Sequence, residues 1–252
     1  MHRTEPTLKF SQPPAEHAAF HVESALFSTP DRDTTCALFG PLHYEPGYGY
    51  PLIVWLHGRC AAGSEGRCDD ERQLLRIMPQ VSMRNYVAVA PRGIRSAAAD
   101  TFGGDGYGWN QTDEAIRQAE ACIFDGIEAA AREFHVARRR VFLAGFNDGG
   151  TMAFRMAMTH PHRFAGVASF CGAFPDGRTP LGQLVDVRQL PILLAVGRDS
   201  REYPPAEVCK NLRLFHTAGL SVTLRQYPCG HELCRQMLAD LDRWTIDQIM
   251  PA

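Results

Sequence analysis

The sequence predicts one α/β domain, a mostly parallel eight-stranded sheet with helices on both faces, and three observations lead there. Short apolar runs alternate with amphipathic stretches along most of the chain, as when strands and helices take turns. The runs LIVWLH, YVAVAP, VFLAGF and ILLAVG lack the in/out alternation of a half-exposed sheet, as expected of strands covered on both sides. A length of 252 residues, 45% of them hydrophobic, is enough for a single well-buried core.

Taken in order, residues 1–16 are polar and proline-bearing without periodicity, and are expected to form a flexible N-terminal arm on a domain spanning residues 17–252. Strands are expected at Ala18 to Phe27, Thr35 to Phe39, Leu52 to His57, Tyr86 to Ala90, Val141 to Phe146, Ala165 to Ser169, Ile192 to Val196 and Val222 to Tyr227. The first two are expected to be antiparallel edge strands. Helical periodicity marks Glu71 to Val81, Glu114 to Phe134, Gly149 to His160, Pro205 to Ala218 and Leu233 to Met250. The cluster Arg138-Arg139-Arg140 reads as a solvated turn ahead of a buried strand.

A net charge of -2, from 26 basic and 28 acidic residues, gives no electrostatic surplus to draw the protein to nucleic acid or anionic lipid. No apolar run is long enough to span a bilayer, and the start lacks the apolar centre of a secretory signal, so a cytoplasmic protein is expected. Several of the eight cysteines lie in apolar runs such as GVASFCGAF and are expected to be free thiols. The spacing of Cys60, Cys68, Cys229 and His231 matches no standard zinc pattern, so neither metal nor other cofactor is expected.

In open sheets of this kind ligands collect at the carboxyl ends of the strands. There, Gly145-Phe146-Asn147-Asp148-Gly149-Gly150 joins an apolar strand to the helix TMAFRMAMTH. It has the form of a nucleophile elbow, whose sharp strand-to-helix turn needs small residues two before and two after its centre. His57-Gly58-Arg59 ends another strand, where such a loop lends a backbone N–H to an oxyanion hole; Arg59 and Asp148 are the candidate amide donors. After the last strand comes Tyr227-Pro228-Cys229-Gly230-His231, with His231 where a triad histidine belongs and Gly230 as the residue that brings it over the sheet. Together these motifs resemble the phospholipase/carboxylesterase branch of the α/β-hydrolases, with its His-Gly loop, G-F-S-x-G-G elbow, late acidic loop and final G-H. The resemblance covers nearly all of the chain after about His17. It implies the α/β-hydrolase fold with no separate cap domain, and a small-molecule ester or acyl-like ligand.

The sequence departs from that family where its chemistry is done. Asn147 holds the nucleophile position, and a carboxamide has no proton to surrender to His231. The family's acid loop, counted without gaps from Gly197 to Pro204, puts Ser200 on the acid. Asp199, one place early, is the expected orienter of His231, with Glu202 as substitute. Cys60 and Asp148 are the other candidate nucleophiles, and Cys60, Tyr107 and Trp109 the candidate pocket rim, with packing the alternative for the two aromatics. A central aspartate occurs in the haloalkane dehalogenase and epoxide hydrolase branches, but those close their site with an inserted cap. The expectation is an esterase-like protein with a degenerate triad, a pseudo-hydrolase or ligand-binding protein. The alternatives are an active hydrolase using another nucleophile or a water activated by His231, and a protein-interaction scaffold.

Overall fold

The computed structural model describes residues 36–58, 72–95, 107–175 and 184–250. Its centre is a seven-stranded sheet formed by β1 (Cys36–Phe39), β2 (Tyr50–Leu56), β3 (Val87–Pro91), β6 (Val136–Phe146), β7 (Gly166–Phe170), β8 (Ile192–Gly197) and β9 (Val222–Tyr227), in the order β1-β3-β2-β6-β7-β8-β9. All neighbours run parallel except β1, which lies antiparallel on β3 with Cys36 opposite Pro91. The expected strand at Ala18 to Phe27 lies outside the described residues. The other seven expected strands form this sheet, with helices α1 (Gln73–Val81), α2 (Asp113–Glu133), α3 (Asp148–Thr159), α4 (Leu184–Val187) and α5 (Pro205–Ala218) between strands and α6 (Arg235–Ile249) after β9.

Alternate residues of each central strand supply opposite faces, and this splits the core in two. Leu52, Val54 and Leu56 of β2 join α2, α3 and α5 through Ile123, Met152, Phe154, Val208 and Phe215. Ile53 and Trp55 face the other way, onto α1 and α6 through Leu74, Met78, Leu238 and Trp244. Both sets are fully or almost fully buried, which is why the central strands read as unbroken apolar runs. The outer strand β9, with Thr223, Arg225 and Gln226 exposed, carries the polar residues that a sheet edge tolerates.

Helix ends follow local chemistry. Thr112 caps α2 by accepting from the Ala115 N–H at 3.3 Å, with Asp113 and Glu114 in the first turn. Pro204 and Pro205 open α5, and Gly219, at φ 73°, closes it in the left-handed conformation. One local expectation is corrected. Arg138 to Arg140 are exposed as expected, yet they belong to β6 rather than a turn, because β6 extends back to pair Val136 with Tyr50 across a register shift. Outside the main sheet, β4 (Ile94–Arg95) pairs antiparallel with β5 (Tyr107–Gly108).

Strand order reverses direction between β2 and β6: the chain first adds β3 on one side of β2, then β6 on the other. Such a reversal opens a crevice at the carboxyl ends of the two strands. The His57-Gly58 turn and Asn147 lie at that edge.

Candidate functional site

The bend at Asn147 is built by backbone crowding. A Cβ on Gly145 would lie 2.4 Å from the Gly149 carbonyl oxygen, and one on Gly149 would lie 2.2 Å from the Leu56 carbonyl oxygen. Only glycines let β6 turn into α3 against the end of β2. At the apex Asn147 takes φ 51° and ψ -120°, a left-sided conformation that side chains rarely adopt. Hydrogen bonds pin it on both sides: its N–H donates to Phe170 O at 2.9 Å and its carbonyl accepts from Thr151 N–H at 3.0 Å. Asp148, half-buried, is the first residue of α3, so its backbone N–H belongs to the positive end of that helix.

The turn after β2 is fixed from beneath. His57 is fully buried and its Nε2 accepts from the Gly93 N–H at 2.9 Å. The Trp109 indole N–H donates to His57 O at 2.9 Å, and the Gln73 side-chain oxygen accepts from both Trp55 Nε1 (2.7 Å) and Gly58 N–H (3.4 Å). Trp109 is thus a core residue, 2% exposed, and takes the packing alternative over the rim. Tyr107 is half-buried beneath the Arg92 guanidinium, 4.9 Å from its ring centroid. Arg59 and Cys60 lie outside the described residues.

His231 arrives from the loop after β9 and sits beside the elbow, its ring 5.5 Å from that of Phe146. The close approach that brings it there is at Gly197, where a Cβ would lie 1.9 Å from Gly230 O; at Gly230 itself a Cβ would meet nothing within 4 Å. The steric demand therefore falls on the glycine of the neighbouring loop, not on the one expected from the G-H pair. Asp199 N–H donates to Cys229 O at 3.0 Å, tying the two loops together through backbone alone.

The side chain on His231 Nδ1 is Ser200, whose Oγ lies 2.9 Å away and also accepts from Tyr203 N–H at 3.1 Å. Ser200 is buried; Asp199 is exposed and its carboxylate lies 3.3 Å from Arg198 Nε. The ungapped count to Ser200 therefore gives the residue facing the imidazole, and Asp199 points elsewhere. Glu202 lies on the opposite side of the ring. Its Oε2 is 3.3 Å from His231 Nε2 and accepts from Asn147 Nδ2, also at 3.3 Å. One carboxylate oxygen thus fills the gap between the elbow side chain and the imidazole. Burial pushes the His231 pKa below its ordinary value, against a weaker upward pull from the Glu202 and Asp148 carboxylates.

Near this site lies a thiol cluster whose members sequence reading took as free thiols, weighing Cys229 besides only for its zinc spacing. Cys171, at φ 53°, is buried and its Sγ lies 4.0 Å from Glu232 O. Burial raises its pKa to about 11. Burial and the hydrogen-bonded thiol of Cys234 push Cys229 up to about 12. These thiols are protonated near neutrality and poor nucleophiles.

Residues 51–247 match the family model described as Phospholipase/Carboxylesterase. NocK of Nocardia uniformis subsp. tsuyamanensis, named as an esterase, is 30% identical over 167 residues, 62% of this chain; the match spans only 43% of NocK. A protein of Arabidopsis thaliana named as a SOBER1-like carboxylesterase is 23% identical over 206 residues, 77% of each chain. Among solved structures, a carboxylesterase from Mesorhizobium loti superposes with a TM-score of 0.67 at 19% identity, covering 88% of this chain and 98% of its own. Arabidopsis thaliana SOBER1 superposes with a TM-score of 0.64 at 18% identity, covering 80% of this chain and 100% of its own. Among the described residues no helix is long and apolar enough to cross a membrane. With its sheet order, its glycine-flanked bend and the match over most of its length, this chain belongs to the phospholipase/carboxylesterase family of α/β-hydrolases.

Proposed function

We propose that this chain is an esterase-derived hydrolase with a degenerate triad, which holds a small ester or acyl-like ligand at the carboxyl edge of its sheet without turning it over. The observation that supports this most directly is the pair of partners offered to His231: Asn147 at the bend and Ser200 on Nδ1. An amide cannot give up a proton to become a nucleophile, and a hydroxyl supplies no negative charge to stabilise an imidazolium. Losing the attacking serine alone costs serine hydrolases on the order of a million-fold in turnover, about 8 kcal/mol of barrier. What remains is a bend at a helix N-terminus. The Asp148 N–H, and in this reading that of Arg59, would receive a ligand carbonyl as oxyanion donors.

The test is direct. The purified chain is incubated with p-nitrophenyl acetate and butyrate, and nitrophenol release and intact mass are followed. Release no faster than from His231→Ala, with no mass increase, is expected. Turnover that His231→Ala abolishes, or an acyl group on residue 147, Asp148 or Cys60, defeats the reading.

A further inference from the structure

The carboxylate facing His231 bears on which of its nitrogens carries the proton. Ser200 Oγ receives the Tyr203 N–H and lies 2.9 Å from Nδ1, to which a hydroxyl can donate or from which it can accept. A carboxylate only accepts, so Glu202 Oε2 favours an N–H on each of the groups 3.3 Å from it, Nε2 of His231 and Nδ2 of Asn147. A neutral imidazole has one N–H, and the negative charge 3.3 Å from Nε2 favours it there, with Ser200 then donating to Nδ1. In that arrangement Tyr203 N–H donates to the Ser200 hydroxyl and Asn147 Nδ2–H donates to Glu202 Oε2, while the buried Nε2 lies 3.3 Å from the same oxygen without a hydrogen bond to it. An esterase base needs the opposite tautomer, with the Nε2 lone pair facing the elbow. With the proton on Nε2, the elbow and the imidazole are instead a pair of donors.

We propose that Asn147 Nδ2–H and His231 Nε2–H form a receptor for a small monocarboxylate, and that Glu202 occupies this receptor as a tethered stand-in which the free acid displaces. The inference rests on the ligand-holding reading above and names the ligand's chemical class. Glu202 fits the part of a displaceable plug: its side chain is 65% exposed, while the histidine it covers is 12% exposed. Swinging it into water breaks one long hydrogen bond and one charge contact and leaves two nitrogens, each 3.3 Å from the vacated point. The oxygen sits in the gap that a carbonyl or carboxyl group of a ligand must enter to reach the bend.

A tethered competitor lowers apparent affinity by the fraction of time the receptor is filled, so a plug seated nine-tenths of the time weakens binding about tenfold. Butyrate and benzoate are titrated into the full chain, into Glu202→Ala, and into Glu207→Ala by calorimetry. Glu207 lies on α5, where its carboxylate pairs with Lys210 at 3.1 Å, so its removal takes away the same charge without opening the receptor. Tighter binding by about tenfold in Glu202→Ala alone is the expected result. Equal affinity in all three proteins, equal gains in both variants, or no binding to any of them overturns the proposal. In parallel, nitrogen-15 spectra of the His231 ring should show a protonated Nε2 and a bare Nδ1; a protonated Nδ1 in the native chain also overturns it. Ester turnover by the native chain would defeat the ligand-holding reading, whereas failure of these titrations in an inert protein defeats the plug alone.

Discussion

Putting a hydroxyl at residue 147 and a carboxylate at residue 200 tests the site one component at a time. The native pair, Asn147 and Ser200, corresponds to a hydrolase lacking both nucleophile and acid around a placed histidine. In serine hydrolases loss of the nucleophile costs about 2 × 10⁶ in kcat, the same as losing the whole triad, whereas loss of the acid costs on the order of 10⁴. Ser200→Asp alone should therefore gain nothing. Asn147→Ser alone should rise about a hundredfold over the native chain. The double variant should gain roughly a further 10⁴, about 5.5 kcal/mol of barrier. The gain from the acid comes with a change of tautomer, since an aspartate on Nδ1 must receive its proton and so frees the Nε2 lone pair. Asp is longer than Ser by about one bond, so the 2.9 Å contact requires the ring or the turn at residues 197–203 to retreat by roughly 1 Å. The assay is kcat/KM for p-nitrophenyl butyrate across the four proteins, with thermal melts to confirm folding. Activity in Ser200→Asp alone, or a folded double variant no better than Asn147→Ser, refutes the assignment of these positions.

Three further outcomes follow from the packing and charges around the site. Trp109→Ala removes a fully packed indole and leaves His57 O without that donor, so urea unfolding should show a loss of about 3–5 kcal/mol. Gly149→Ala drives a Cβ against the backbone oxygen of Leu56 and should abolish soluble folding or cost more than about 4 kcal/mol; Gly108→Ala, with nothing within 4 Å, should melt near the native temperature. Because the folded pKa of His231 lies below its unfolded value, its contribution to stability is complete above about pH 6.5 and is lost as pH falls from there to the depressed value. That adds a slope of at most about 1.4 kcal/mol per pH unit, which urea melts between pH 7 and 4.5 should show and His231→Gln should lack.

The fold was legible because both-face burial leaves an unmistakable record. β8, β9 and α5 were located to within a residue at each end, since their boundaries carry glycine, proline or a change of polarity. Ends without such marks moved. β6 begins at Val136 because edge pairing with Tyr50 continues through arginines whose side chains reach solvent, which periodicity cannot register. The elbow was equally plain, its glycines being required by contacts between backbones. The acid position was harder: spacing pointed to Ser200, while chemistry asked for a carboxylate and favoured Asp199. Loop geometry decided between them, through a buried hydroxyl held by Tyr203 N–H. Glu202 was weighed only as a substitute orienter of His231, and its place between two side chains 55 and 29 residues away had no sequence signal, since it depends on how two loops meet. Trp109 was ambiguous because an aromatic before a helix serves a rim and a core equally well, and only its hydrogen bond to His57 O settles the matter.

The φ of 51° at residue 147 has one further consequence. A residue held there carries on the order of 1–3 kcal/mol of torsional cost. That cost is imposed by neighbours rather than by Asn147 itself, because Gly145, Gly149 and the end of β2 leave the main chain no other path. The bend therefore acts as a rigid socket whose occupant can be exchanged without the socket changing shape. A hydroxyl, thiol, carboxylate or amide placed there would project from the same point in the same direction, so the tip of one side chain sets the chemistry and the surrounding scaffold sets its aim.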